Sequence, residues 1–428
     1  MADLNRKTAY QTLLEIEKNE AYSNIELNHQ IRQLKPDNPA FVRELVYGVL
    51  ENKIFLDHTL SQLIPKGLKG VKKPIKVLLR MGLYQMMFMD SVPEYAAVNE
   101  TVKLARKVAP GRDGFLNGVL RGYGKKKEQL TLPDKTKNLV EHLSVKYSFD
   151  PSIVQLWLKQ YSVEETENLL ANSNLRPEMS IRVNQMKTTT ESLMETLIAE
   201  GFVVKRGALS DRVLFVKGSG LLDTESYGKG LFSVQDEASV LATEILAPQP
   251  GDAVLDICAA PGGKTLAMAE LMDGKGVIRA FDVYQHKLEL IKEEAKRLGL
   301  SIIETAEQDG TVFNQRLKDF ADKVLVDGPC SGLGVIRRKP EIKFKPVSDE
   351  ARDLADKQLE ILENACQYVK AGGDLLYSTC TINKRENMGV VERFLNKHDE
   401  FELVYHRQLL PGLDETDGFF ISKLHKNR

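Results

Sequence analysis

Two cysteines, each just beyond an apolar, β-branched run, are the residues best placed for chemistry. Cys330 follows "KVLVDGP" and Cys380 follows "DLLYST". Both are therefore expected at the carboxyl ends of buried strands, the edge where open α/β sheets bind ligands. Asp327 closes the first run, and Gly328, Pro329 and Gly332 hold Cys330 in a tight loop. Two thiols and a carboxylate facing one pocket suit one task in particular. Carbon 5 of a pyrimidine is too weak a nucleophile to accept a methyl group unaided, whereas a thiolate adding to carbon 6 makes an enamine whose electron density falls on carbon 5. Asp327, protonated or sharing a proton with ring N3, would stabilise that charge. A second thiol can assist when the carbon 5 proton leaves and the first thiol is expelled. Methylation of nitrogen or oxygen needs only a polar clamp or a base. Packing of two buried cysteines beside a cofactor is the alternative left open by the residues alone.

A methyl donor site is expected next to them. "VLDICAAPGGKT" (254–265) is a strand running through a glycine turn into a helix. Gly262 and Gly263 permit close backbone approach, and the amides at the helix start face the ligand. The segment is neither GxGxxG nor GxxxxGK[ST], which counts against a dinucleotide or nucleoside triphosphate. Asp282 closes the next strand, 20 residues beyond Gly262, where a carboxylate can accept two ribose hydroxyls. Asp309, after a third strand, can receive an adenine amino group. An adenosine ligand without phosphates, S-adenosylmethionine, fits this spacing better than nicotinamide or flavin. Cys258, against the glycine turn, and Cys366, expected mid-helix on an apolar face, read as packing residues.

Positioning these groups requires three segments. Residues 1–130 read as all-helical: Ala9, Leu13 and Ile16 recur at helical spacing, as do Val98, Val102, Ala105 and Val108. "IKVLLRMGLYQMMFM" is apolar nearly all round, as a central bundle helix should be. Residues 131–235 predict linker helices and a small α+β subdomain, with Asp150 as N-cap before Pro151 and Ser162/Glu165 as a capping box. From 236 to 428, "AVLDICA", "GVIRAFD", "SIIETAEQD", "KVLVDGPC" and "GGDLLYSTC" alternate with helical runs. That pattern predicts a Rossmann-like, mostly parallel doubly wound sheet, with "FELVYH" and "GFFISKL" as an antiparallel pair at one edge.

The 428 residues carry 42% hydrophobic and 28% charged side chains, ordinary for a globular chain. The amino terminus has no apolar leader, no stretch has the length of a membrane span, and four cysteines show neither CxxC nor Cys/His clustering. The expectations are a cytoplasmic monomer with no membrane, no disulfide framework and no metal. Net charge is −1, but basic residues cluster: six without an acid between Lys66 and Arg80, ten against three from Lys103 to Lys137, and five against one from Ser331 to Lys345. Such segregation can build positive faces toward a polyanion.

The motifs "DICAAPGGKT", "FDVYQHKL", "DGPCSGLGVIRRKPEIKF", "YSTCT" and "DGFFISKL" resemble those of the RNA (cytosine-5)-methyltransferase family. "RELVYGVLENK", "LLRMGLYQMMFMDSVPEYAAVNETVKLARK" and "GFLNGVLRGY" resemble the NusB antitermination-factor fold. The fusion of the two resembles the bacterial 16S rRNA (cytosine-5)-methyltransferase B group over nearly the whole chain. The resemblance implies a seven-stranded methyltransferase domain after a NusB-like bundle and a ferredoxin-like middle domain. It implies Cys380 as nucleophile, Cys330 as the residue aiding product release, and Asp327 as the contact to base N3. Cofactor contacts are implied at Cys258, Ala259, Ala260, Pro261, Gly262, Gly263, Lys264, Asp282, Asp309 and Asp327. "SVQDEAS" (233–239) matches a family segment at the start of the catalytic domain. Gly328, Leu333 and Lys339 depart from the family's usual alanine, threonine and histidine. Arg337, Arg338, Lys339 and Lys343 are expected to hold phosphates around a target base turned out of its stack. The implied substrate is 16S rRNA, naked or in an early assembly intermediate. The alternatives are the same chemistry on tRNA or 23S rRNA, or a non-catalytic NusB-like RNA-binding factor.

Overall fold

A computed structural model of the chain describes residues 3–19, 23–347 and 350–427. These fall into two compact units, one of residues up to Asn174 together with Ile336–Val347, the other of Leu175–Val335 with the residues from 348 onward. The chain thus passes from the second unit into the first and back, six residues after Cys330.

The first unit is helical. Helices Leu4–Asn19, Ser23–Leu34, Pro39–Glu51, Lys53–Leu63, Lys73–Phe88, Glu94–Val108 and Asp113–Lys126 form a bundle. Lys73–Phe88 runs through its middle and is buried on most sides, including Ile75, Leu78, Leu79 and Leu83. Gly82 lets that helix approach the last one, because a Cβ there would lie 2.7 Å from a Leu120 methyl. Arg80, 4% exposed, is paired with Asp57 through Nε and with Glu17 through Nη1, at 2.7 and 3.1 Å. It therefore drops out of the basic run read from the sequence. Helices Leu139–Tyr147, Pro151–Gln160 and Val163–Asn172 complete the unit. The expected caps are present: Asp150 accepts from the Ser152 amide, and Ser162 with Glu165 closes a capping box. The helices expected as a linker to the middle domain thus pack with the bundle.

The second unit holds two sheets. Strands β1 (Met179–Val183), β2 (Val203–Arg206), β3 (Val213–Lys217) and β4 (Phe232–Val234) form an antiparallel sheet in the order β2-β3-β1-β4. β4 was not foreseen. Strands β5 (Ala253–Asp256), β6 (Val277–Asp282), β7 (Ile303–Glu307), β8 (Ala321–Asp327), β9 (Val369–Thr379), β10 (Phe401–Leu409) and β11 (Phe419–Lys426) form the larger sheet, ordered β10-β11-β9-β8-β5-β6-β7. The five from β5 to β9 are parallel, and β11 and β10 are added antiparallel at one edge.

Alternation along β8 explains why both faces are covered. Val324 and Val326 point to one side, onto Ala355, Leu359 and Leu362 of helix Glu350–Ala365 and Val390 and Phe394 of Met388–Leu395. Leu325 points to the other, onto helices Glu237–Leu246, Gly263–Leu271 and Gln285–Leu298. The strand order reverses at β5, whose neighbours are β6 and β8, and the carboxyl ends of those strands open a crevice there. Among the described residues no helix is long and apolar enough to cross a membrane.

Candidate active site

Asp327 ends β8 directly opposite Ser378 on β9, a register that carries both cysteine turns to the same sheet edge. The Gly328 amide donates to Ser378 O at 3.1 Å and the Gly334 amide to Cys380 O at 3.0 Å, tying the turns together at both ends. Gly334 must be glycine. Its own carbonyl accepts from the Gly418 amide at 2.9 Å, and a Cβ would sit 1.9 Å from Gly418 O. Between those ties Cys330 Sγ and Cys380 Sγ are 3.0 Å apart.

Glu386 reinforces the pair. Its Oε2 accepts from the Ser331 amide at 2.8 Å and Gln358 Nε2 at 3.2 Å, and its Oε1 from Ser331 Oγ at 2.6 Å and Asn383 Nδ2 at 2.9 Å. Ser331 Oγ also meets Thr381 Oγ1 at 2.8 Å. One buried carboxylate thus grips the residue after Cys330, whose hydroxyl grips the residue after Cys380. Sequence reasoning missed Glu386: six residues past Cys380, in "NKREN", it reads as an ordinary polar helix start.

Asp327 accepts from Lys264 Nζ and Ser378 Oγ, each at 2.8 Å. Burial works against the Lys264 ammonium, but Asp327 outweighs it and holds the group above its ordinary value. The Cys330 thiol is held well up, first by its hydrogen bond with Cys380, then by burial and by the charges of Cys380, Glu386 and Asp327. Cys258 is pushed up by burial, with the neighbouring carboxylates adding to the effect.

Two cavities meet at Cys258, Ala260 and Asp327. One, of about 290 Å³, is lined by Ile257, Val283, Pro329 and Ile361 together with Asp282 and Asp309. Asp282 is braced by the Ala260 amide at 3.2 Å and the Tyr284 amide at 3.1 Å. Asp309 is held below the ordinary carboxylate range by the Thr311 amide and hydroxyl. The other, of about 210 Å³, has Gln235, Ser239, Asp256 and Lys264 among its lining, beside the 259–263 turn. Asp256 is fully enclosed, and burial raises its carboxyl to about 7 although Thr265 donates to Oδ2 at 2.6 Å. Its Oδ1 has no partner. The structure therefore gathers Cys258 to Lys264, Asp282, Asp309, Asp327, Cys330 and Cys380 at one sheet edge, and adds Gln235, Asp256, Ser378 and Glu386. Apolar side chains beside a braced carboxylate suit a nucleoside, and donors beside carboxylates suit a zwitterion, so S-adenosylmethionine fits the joined cavities.

The basic residues after Cys330 divide. Lys339 is exposed, whereas Arg337 and Arg338 are half-buried and engaged with other groups. Lys343 is a correction: it is fully buried in the first unit, donating at 2.6 Å to both Glu51 O and Asn174 Oδ1. Its nitrogen stands 4.6 Å over the Phe149 ring, and burial pulls its pKa down to about 7. It cannot reach a phosphate from there. Cys366 is also displaced from its expected setting: it opens a 3-10 turn after helix Glu350–Ala365 and donates to Glu363 O at 3.1 Å. It does share a neighbourhood with His398 and Glu400, their ligand atoms lying within 4.8 Å of one another. That cluster flanks the amino end of β9, the end opposite the two thiols.

Comparison with known proteins adds a consistent picture. Residues 243–425 match the 16S rRNA methyltransferase RsmB/F family, residues 3–125 the NusB family, and residues 152–220 the RsmF/B-like ferredoxin-like domain. The probable ribosomal RNA small subunit methyltransferase B of Bacillus subtilis (strain 168) is 38% identical over 98% of each chain. The ribosomal RNA small subunit methyltransferase B of Vibrio cholerae serotype O1 is 33% identical over 95% of each. Among solved structures, PH0851 superposes with a TM-score of 0.83 at 27% identity, over 100% of this chain and 99% of its own. A methyltransferase homolog protein from Pyrococcus horikoshii gives 0.61 at 27% identity, over 67% and 99%.

Proposed function

The chain belongs to the ribosomal RNA small subunit methyltransferase B family, and from that premise we propose that it methylates carbon 5 of one cytosine in 16S rRNA through a covalent bond from Cys380 to carbon 6. The observation that supports this most is the contact of two thiols beside a lysine-paired aspartate. Methylation at nitrogen or oxygen has no use for such a pair.

In this reading S-adenosylmethionine, when bound, supplies a methyl group on a sulfonium. Asp282 and Asp309 hold its adenosine, with the 259–263 turn and Lys264 beside its other end. Asp327, oriented by Lys264 and Ser378, meets N3 of a cytosine turned out of its stack through a proton shared between carboxyl and ring nitrogen. The Cys330 S–H donates to Cys380 and steadies its thiolate as that sulfur adds to carbon 6, which places electron density on carbon 5. Once Cys380 is part of a carbon–sulfur bond, the largest influence holding the proton on Cys330 is gone. Cys330 then gives its proton to water in the open crevice, and its thiolate takes the carbon 5 proton; the electrons of that C–H bond restore the ring double bond, and Cys380 leaves as a thiolate with the electrons of the C6–S bond. A base must enter a crevice for this, so the substrate is rRNA whose target loop is open, free or early in assembly, met by a single copy of the chain.

The test uses Cys330→Ala and Cys330→Ala/Cys380→Ala proteins incubated with S-adenosylmethionine and protein-free 16S rRNA, then resolved on a denaturing gel. An RNA–protein adduct in the single variant that is absent from the double one is expected. Turnover retained by Cys380→Ala would remove the nucleophile assignment. An adduct on tRNA or 23S rRNA alone would move the same chemistry to that substrate.

A further inference from the structure

The Gln235 amide is 7% exposed, lines the smaller cavity, and has a nitrogen with no hydrogen-bond partner. A buried amide donor that lines a cavity and lacks an acceptor can be satisfied by a ligand in that cavity. Which end of the amide faces the cavity is settled by its neighbour. Gln235 Oε1 accepts from Arg182 Nη1, and a guanidinium only donates, so the nitrogen is the atom turned away. Arg182 is fully buried on β1 and is itself fixed: Glu270 accepts from its Nε and Nη2 at 2.9 and 2.7 Å. The same Nη1 donates to Gly263 O at 3.0 Å. Strand β1 of the smaller sheet thereby braces both the glycine turn and the amide beside it. A Cβ on Gly263 would stand 3.5 Å from Gln235 Nε2, which places the donor against the turn.

The larger cavity places Ile257, Val283, Pro329 and Ile361 beside Asp282 and Asp309, a mixed lining that suits a nucleoside. What remains for the smaller one is the other end of the same ligand, an α-amino-carboxylate. We propose that Gln235 Nε2 donates a hydrogen bond to the carboxylate of the cofactor's amino-acid end, with Arg182 as the positioning residue that aims it. This rests on the S-adenosylmethionine reading above and deepens it. It adds Gln235, from the 233–239 segment at the start of the catalytic domain, to the cofactor contacts at 258–264, Asp282, Asp309 and Asp327.

The full-length protein is titrated calorimetrically with S-adenosylhomocysteine and with 5′-methylthioadenosine, which keeps the nucleoside but lacks the amino acid. Gln235→Ala is expected to weaken S-adenosylhomocysteine by roughly ten- to a hundredfold, the worth of a hydrogen bond to a charged group. Its affinity for methylthioadenosine should stay within twofold of wild type. Gln235→Glu, which keeps the contact to Arg182 but turns the donor into a like charge, should weaken S-adenosylhomocysteine further and again spare methylthioadenosine. Unchanged affinity for S-adenosylhomocysteine overturns the proposal, as does an equal loss for both ligands, which would mean general damage to the cavity. A wild-type protein that binds neither ligand overturns the cofactor reading itself.

Discussion

Replacing Glu386 tests whether one buried carboxylate sets the geometry of the thiol pair. In Glu386→Ala the Ser331 amide loses its acceptor, and Gln358 Nε2, which keeps Pro329 O, and Asn383 Nδ2 each have one N–H left over, while the Ser331 hydroxyl can turn to Thr381. At about 1–3 kcal/mol for each buried donor deprived of its partner, with some relaxation, the two turns should be easier to open by about 3–5 kcal/mol. Glu386→Gln is gentler. Its oxygen keeps two donors, its new N–H₂ can donate to Ser331 Oγ, and only Asn383 Nδ2 meets another donor, for about 1–2 kcal/mol. Native-state hydrogen exchange reads this locally. The Gly328 and Gly334 amides bond across the two turns to Ser378 O and Cys380 O, so their exchange reports opening at the site. At 1.36 kcal/mol per tenfold, exchange at these amides should quicken by about two to four orders of magnitude in the alanine variant and about tenfold in the glutamine variant. Adduct formation should slow in the same order while S-adenosylhomocysteine still binds. Wild-type exchange in Glu386→Ala, or identical behaviour of the two variants, would refute the reasoning.

Gly334→Ala should destabilise the second unit by at least about 1–3 kcal/mol, because its methyl group meets backbone rather than a side chain that can turn away, and urea unfolding measures it. Lys343 gives a pH signature. Its folded pKa of about 7 lies below the unfolded value of 10.5, so between those limits the unfolded chain binds more protons and stability rises with pH. Trp157 fluorescence reports it, since Phe149 is packed against both Trp157 and Lys343, and Lys343→Met should flatten the rise. Lys339→Glu should weaken RNA binding and lower the slope of log affinity against log salt by about one unit, whereas Lys343→Met should leave that slope unchanged.

What could be read in advance followed the physics of each segment. β8 and β9 announce themselves as continuous apolar runs because a parallel strand is buried on both faces, and the aspartates closing successive strands follow from the same pattern. The antiparallel pair at the sheet edge and the caps at Asp150 and Ser162 were legible for equally local reasons. β4 was not, since three residues, "FSV", carry too little periodicity to stand out. Lys343 was misjudged because charge patterning cannot separate a solvated ammonium from one enclosed by backbone oxygens and a ring. Glu386 and Arg182 stayed hidden, and Gln235 stood out only as part of the 233–239 segment, for a related reason: their roles depend on partners 28 to 88 residues away. Which thiol attacks was likewise beyond spacing; only the family resemblance ranked Cys380 above Cys330.

The excursion of Ile336–Val347 into the helical unit has a practical consequence. Although the NusB match ends at residue 125 and the methyltransferase match begins at 243, no single cut separates the two units. A fragment starting at Leu175 would keep this strap but lose Glu51, Asp150, Ser152 and Asn174, which hold it through Lys343 and Val347. Such a fragment would carry a loose, partly apolar flap a few residues from Cys330. A severed enzyme that proves inactive or sticky would therefore say little about whether the bundle reads RNA. Point substitutions on its surface, with the strap left in place, are the cleaner way to ask.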